Sequence, residues 1–153
     1  MSFEIRDARA DDQVRLHAIH HRATMSSYGR SLGWLDPILA DPATPLETVG
    51  WTIVAADPGG ALGYAAVTAN HLENLYVDPA AQGRGVGSAL LGAVEARVRE
   101  RFASMTLRCP RANPDARRLY ERQGYSVRED QTIVYHGRDF EVWLMEKPLC
   151  RAP

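Results

Sequence analysis

The stretch Leu75–Val98, LYVDPAAQGRGVGSALLGAVEARV, decides how the chain is read. An apolar strand runs into a bend, then passes through Gly83, Gly85 and Gly87 into a long amphipathic pattern. A simple strand-to-helix connection needs a turn and an N-cap, but not three alternating glycines. Glycine removes the side chains that would keep successive main-chain N–H groups from pointing into one concavity, and it permits positive φ. The first N–H groups of a helix lack intrahelical partners, and the helix dipole adds partial positive charge. The segment therefore reads as a cradle for a phosphate or pyrophosphate, with Arg84 able to add a formal charge.

Other readings of the same glycines fit less well. A P-loop needs lysine followed by serine or threonine after its last glycine, and GRGVGSA has neither the lysine nor the spacing. The dinucleotide fingerprint accounts for Gly83 and Gly85, but Ser88 stands where its third glycine belongs. No lone acidic residue closes a second strand about 20 residues later. A glycine turn that touches no ligand is the remaining alternative.

Outward from this segment the pattern alternates strands and helices. Phe3 to Ala8 alternates like a strand, and Asp11 or Asp12 can cap a helix carrying Val14, Ala18 and Ile19 towards Met25. Ser26 to Pro45 is broken by Gly29, Gly33, Pro37 and Pro42 and is the least regular part. Thr48 to Ala56 and Ala61 to Ala69 read as hairpin strands around the turn Asp57 to Gly60, followed by a strand from Leu72 to Val77. The helix from about Gly85 to Arg101 turns Val86, Leu90, Val94 and Val98 inward, with Glu95, Arg97, Arg99 and Glu100 expected in water. Met105 to Arg108 returns as a strand. Asn113 then suits an N-cap, Pro114 the first helical position and Gly124 the exit. Two strands, around Val127 to Tyr135 and Phe140 to Glu146, flank a turn at His136 to Asp139. This order predicts an α+β fold with one mixed sheet, in which only the unit from Leu72 to Arg108 pairs parallel through a right-handed crossover.

Composition narrows the function. The 153 residues suit a single domain over 1–153, and 45% hydrophobic with 24% charged residues is ordinary for a globular chain. A net charge of -1 supplies no general field for nucleic acid or an anionic membrane, so any bound anion must be held locally. Cys109 and Cys150 are too few for a disulfide framework and lack metal-ligand spacing. The opening MSFEIRDARADD is charged where a signal peptide carries an apolar run, and no segment has the length of a membrane span. The expectation is a cytoplasmic protein without metal.

The segment QGRGVG, Gln82 to Gly87, resembles the Q/R-x-x-G-x-G/A signature of the GNAT superfamily of N-acetyltransferases. LENLYVDP is similar to that family's central strand, and NPDARRLYERQGY, Asn113 to Tyr125, to its second cofactor motif. EIRDARADD resembles its first strand and helix start, and VWLMEKPL, Val142 to Leu149, its final strand. The likeness is thin between Ser26 and Pro45. It implies a central mixed, mostly antiparallel sheet flanked by about four helices, with acetyl-coenzyme A as acetyl donor. It further implies direct transfer of the acetyl group to a primary amine of a small molecule or peptide.

On this resemblance the main chain of Gln82, Gly83, Arg84, Gly85, Val86, Gly87 and Ser88 holds the pyrophosphate, and the pantetheine arm lies along Leu75, Tyr76 and Val77. One N–H of that strand would polarise the thioester carbonyl. Asn113 caps its helix and is implied to reach the cofactor arm. Tyr120 falls where the family often places a tyrosine near the sulfur. A phenol of pKa about 10 holds its proton at neutral pH and can offer it to the thiolate, although against a thiol of roughly 8.5 the full transfer is uphill by about 2 kcal/mol. Simple packing on the helical face of Ala116, Leu119 and Gln123 is its alternative role. Glu73 could accept the ammonium proton, directly or through water, or could be a solvated strand-end carboxylate. Arg111, Arg117 and Arg118 could meet the 3′-phosphate, though a solvated helix face explains them equally.

His17, His20 and His21 could share a face of the first helix, but no further ligand completes a zinc site. Acceptor-site lining or polar surface is the expected role. Tyr28, Trp34 and Trp143 are implied shapers of the acceptor pocket, which the family builds from the early helices and the final hairpin, or else ordinary core or surface aromatics. Edge strands near the C-terminus could pair two subunits as a homodimer. The competing functional class is a non-catalytic coenzyme A-binding regulatory module. A nucleotide-binding protein is a third reading.

Overall fold

The computed structural model describes residues 2–28, 32–43 and 50–149. The expected strand start at Thr48, Cys150 and parts of the irregular Ser26–Pro45 stretch lie outside them. The elements are β1 (Glu4–Asp7), α1 (Gln13–Tyr28), α2 (Asp36–Ala40), β2 (Trp51–Asp57), β3 (Gly60–Thr68), β4 (His71–Val77), α3 (Val86–Val98), β5 (Ser104–Pro110), α4 (Pro114–Arg122), β6 (Ser126–Tyr135) and β7 (Arg138–Pro148). They build the expected α+β fold around a seven-stranded sheet of order β1-β2-β3-β4-β5-β7-β6. The contact between β4 and β5 is parallel, and every other strand pair is antiparallel.

Two cores cover the two faces. On one, Val86, Leu90, Leu91, Val94 and Val98 of α3 pack on Ala65, Val67 and Met105. On the other, Leu16 and Ile19 of α1 meet Val54, Ala61 and Tyr64. Full burial of each leucine or isoleucine contributes about 1.5–3 kcal/mol, so both helices are held mainly by these stripes. Side chains alternate along β4: Leu75 and Val77 face the α3 core, whereas Tyr76 joins the α1 core.

Two sequence expectations are corrected. Val14 is 85% exposed, and the buried stripe of α1 is Leu16, Ile19 and Ala23. Glu95, expected in water, is buried, accepting hydrogen bonds from Tyr125 Oη at 2.7 Å and Lys147 Nζ at 2.8 Å. It shares the face of Leu91, Val94 and Val98, and partners from distant parts of the chain satisfy its charge there. Asp12 enters α1 through a short 3-10 turn and accepts the Arg9 N–H at 2.7 Å, the reciprocal half of a capping box. Arg6 grips the same carboxylate through two bonds, and this hydrogen bonding holds its pKa below the usual carboxylate value.

Candidate functional site

Beyond the pairs His71–Thr106 and Leu72–Leu107 the register between β4 and β5 stops. Just there β4 carries a bulge: Ala66 opposes Asn74 and Val67 opposes Leu72, leaving Glu73 as the extra residue. A bulge bends its strand and re-aims the side chain that it carries. The strands part, and a cleft of about 1100 Å³ opens between them. Its wall includes β4 from His71 to Val77, Leu107 to Arg108 of β5, and the start of α4.

At one end of this cleft lies the glycine segment. Asp78 opens a 3-10 turn, Pro79–Ala81, by accepting the Ala80 N–H at 3.1 Å. The chain then passes Gly83 at φ +82° and Gly85 at φ +77° before α3 begins at Val86. Both values lie in the left-handed region where a Cβ is costly. A Cβ added at either glycine would meet nothing within 4 Å, so protein packing does not fill the hollow beside them. Among the described residues no acceptor takes the main-chain N–H of Gly83, Arg84, Gly85, Val86, Gly87 or Ser88. Six adjacent unpartnered donors at a helix mouth, beside a hollow left open at Gly83 and Gly85, form a ready anion site.

The predicted residues fall into groups. Leu75, Tyr76, Val77, Gln82, Gly83, Gly85, Val86, Gly87 and Ser88 all line the cleft. The Arg84 side chain instead leans onto Asp57, 3.6 Å away, and is not part of the wall. Asn113 lines the cleft and caps α4, its Oδ1 accepting the Ala116 N–H at 3.1 Å. Tyr120 lies on the α3 side of the sheet with its ring edge-on to Tyr125 at 5.9 Å. Burial pushes the Tyr120 phenol up, so it stays protonated across the physiological range and can act as a donor. Glu73 lies on the same cleft wall, two residues from His71, whose Nδ1 is 2.8 Å from Thr106 Oγ1. Burial lowers the His71 pKa, and the Glu73 charge opposes that shift.

The three histidines do not gather. His21 Nε2 lies 2.7 Å from Asp36 Oδ1, while His20 turns into the cleft and meets Tyr76 edge-on at 4.5 Å. Burial, followed by the neighbouring histidines, lowers the His20 pKa to about 4, leaving its ring neutral at neutral pH. Among the described residues no three His, Cys, Asp or Glu side chains converge as metal ligands. Tyr28 lines the cleft, with its phenol pushed up to about 12 by burial. Trp34 stands behind the wall at 6.4 Å from Phe140, and Trp143 sits under Arg117 at 4.4 Å, away from the cleft.

Sequence reasoning missed most of the opposite wall. His20, Ala23, Thr24, Ser27 and Tyr28 form a single stripe of α1 at i, i+3, i+4, i+7 and i+8. The tip of the β6–β7 hairpin adds Tyr135, His136 and Phe140. The α1 spacing was visible in sequence, but its mixture of small and polar residues did not stand out as a binding face.

A strap joins the two walls. Asp78, 4% exposed, receives Arg22 Nη2 at 2.5 Å and Arg15 Nη2 at 3.3 Å, both from α1.

The mixed, mostly antiparallel sheet with its four helices is the fold that the sequence resemblance implied, and the comparisons agree. A family model described as the acetyltransferase (GNAT) domain matches residues 49–127. The chain belongs to this GNAT family of acetyltransferases. Blasticidin-S acetyltransferase of Streptomyces morookaense is 36% identical over 69 residues, which are 45% of this chain and 51% of that protein. The chain thus matches about half the length of that curated relative. A GCN5-related N-acetyltransferase from Rhodopseudomonas palustris superposes with a TM-score of 0.83 at 22% identity, covering 97% of each chain. YncA of Salmonella typhimurium, a structure with its cofactor acetyl-CoA, gives 0.70 at 22% identity, covering 100% of this chain and 97% of its own. These structures share the fold.

Proposed function

We propose that the protein is an acetyl-coenzyme A-dependent N-acetyltransferase that moves the acetyl group directly to a primary amine in a ternary complex. The observation that carries this reading is the row of six unpartnered N–H groups from Gly83 to Ser88, at the end of the cleft between β4 and β5. The donor set suits a diphosphate, since it is built of main-chain dipoles at a helix mouth and has no side chain to fill the hollow. The similar fold of a protein solved with acetyl-CoA supports the same choice.

Bound acetyl-coenzyme A supplies an activated thioester. The chain's own residues do the rest. Beyond Leu72, β4 runs along the cleft without a β5 partner, so its edge can receive an extended, amide-bearing arm as an added strand would be received. An N–H of Leu75 or Val77, which alternate away from β3, can polarise a carbonyl held there. Glu73, placed by the bulge, accepts the proton of the incoming ammonium directly or through water. Tyr120, held protonated by burial, donates to the departing thiolate.

The test is free-thiol release from acetyl-coenzyme A against a broad amine panel, with calorimetry in parallel. Tyr120→Phe should lower kcat far more than cofactor affinity. Equal loss in both counts against the acid role. Tight cofactor binding with no thiol released from any amine makes the protein a binding module.

A further inference from the structure

The acceptor half of the cleft has a chemical character of its own. Tyr76 turns to the α1 side of the sheet, where Tyr64 lies 5.8 Å from it and His20 meets it edge-on. From the hairpin, Tyr135 and Phe140 form a second aromatic pair 5.6 Å apart, and Trp34 backs Phe140. The third side is apolar, with Leu32, Leu35 and Leu39 beside α2. Formal charge is sparse: beside the histidines His20, His71 and His136, Glu73, Arg108 and Arg122 are the only Asp, Glu, Lys or Arg side chains in the cleft wall among the described residues. His20 adds none at neutral pH.

One polar atom points to a ligand. Thr24 is 5% exposed, lines the cleft one turn from His20, and its Oγ1 has no hydrogen-bond partner among the described residues. A buried hydroxyl left unpaired is destabilising, and a ligand group reaching it would recover that loss.

We propose that the acceptor is a monoamine on a flat aromatic body, clasped between the His20–Tyr76 and Tyr135–Phe140 pairs, with Thr24 Oγ1 bonding one of its polar groups. The assignment rests on the transferase reading and names its substrate class. Ring faces favour a planar apolar body that can stack or meet them edge-on. A polyamine would bring several ammonium groups to a cleft with a single carboxylate and leave the rest desolvated without partners. An amine with one charge needs only Glu73.

The experiment compares 2-phenylethylamine, tyramine and tryptamine with butylamine, lysine and spermidine in the thiol-release assay. It repeats the series by calorimetry on protein loaded with coenzyme A. The arylalkylamines should exceed spermidine and lysine at least tenfold in kcat/KM. Phe140→Ala should raise their KM about tenfold and leave that of butylamine nearly unchanged. Thr24→Val keeps the shape and removes the orphan hydroxyl, so it should raise KM for the preferred amine while Tm stays level or rises. Preference for spermidine or lysine, or a KM untouched by Phe140→Ala and Thr24→Val, overturns the assignment. If no amine releases thiol, arylalkylamine binding that Phe140→Ala abolishes upholds the aromatic site and sinks the transferase reading. Absence of that binding overturns the site.

Discussion

Gly85 and Gly87 stand two residues apart in the same cradle, yet alanine should act on them in opposite ways. At Gly85 the main chain lies at φ +77°, where an added Cβ costs about 1–2 kcal/mol in any surroundings. At about 2–4 °C per kcal/mol for a chain of this size, Gly85→Ala should lower Tm by roughly 2–8 °C. If the strained loop relaxes and one charge-assisted N–H bond to the diphosphate is lost, affinity falls by a further 1.5–3 kcal/mol, or about 10-fold to 150-fold in Kd. Gly87 sits inside α3 with ordinary φ, and its added Cβ would meet Val77 Cγ2 at 3.6 Å, normal contact. Gly87→Ala gains up to about 1 kcal/mol of helix preference, so Tm should hold or rise. Thermal melts with calorimetric titration of coenzyme A decide the matter. Unchanged cofactor affinity in Gly85→Ala despite a lower Tm would show that the left-handed turn serves folding alone, and the cradle argument would fail.

Two further outcomes follow from buried groups. The folded pKa of His20, about 4, lies below the usual 6.5. Between those values the unfolded chain binds more protons, so this contribution is complete above about pH 6.5 and is lost as pH falls towards 4. From pH 8 to 5 that is about 2 kcal/mol, or roughly 4–8 °C in Tm, and His20→Gln should flatten this part of the acid slope. Identical slopes in both proteins would contradict it. Glu95→Ala strips Lys147 and Tyr125 of a shared acceptor and should cost about 3 kcal/mol, the low end for a broken buried pair, because a quarter of the Lys147 side chain reaches water. Urea titration should show a lower midpoint with an unchanged m-value; a loss below 1 kcal/mol would mean that the pair is solvated.

The parts of this fold legible in sequence are those whose cause is local. The glycine segment, the Asn113–Pro114 helix start and the hairpin turns each carry their signal within a few residues, and each appears where expected. Glu95 shows where locality ends. Its spacing put it on the buried face of α3, but its charge argued for water, and the partners that reverse the argument lie 30 and 52 residues away. Val14 misled because it is apolar at the outer surface, while the real stripe depends on Tyr64 across the sheet. The bulge at Glu73 is a mismatch between two strands, invisible in either strand alone. The cleft wall opposite β4 was hardest to see, since α1, α2 and the β6–β7 tip converge only in three dimensions.

The strap at Asp78 has an evolutionary consequence. One carboxylate fastens α1, a wall of the cleft, to the turn that leads into the glycine segment, so the two surfaces keep a fixed spacing. On the transferase reading proposed above, a lineage adopting a new amine can rewrite positions 20, 24 and 27 on the inner stripe. It must leave Arg15 and Arg22 alone, or the donor and recipient of the transferred group drift out of alignment together.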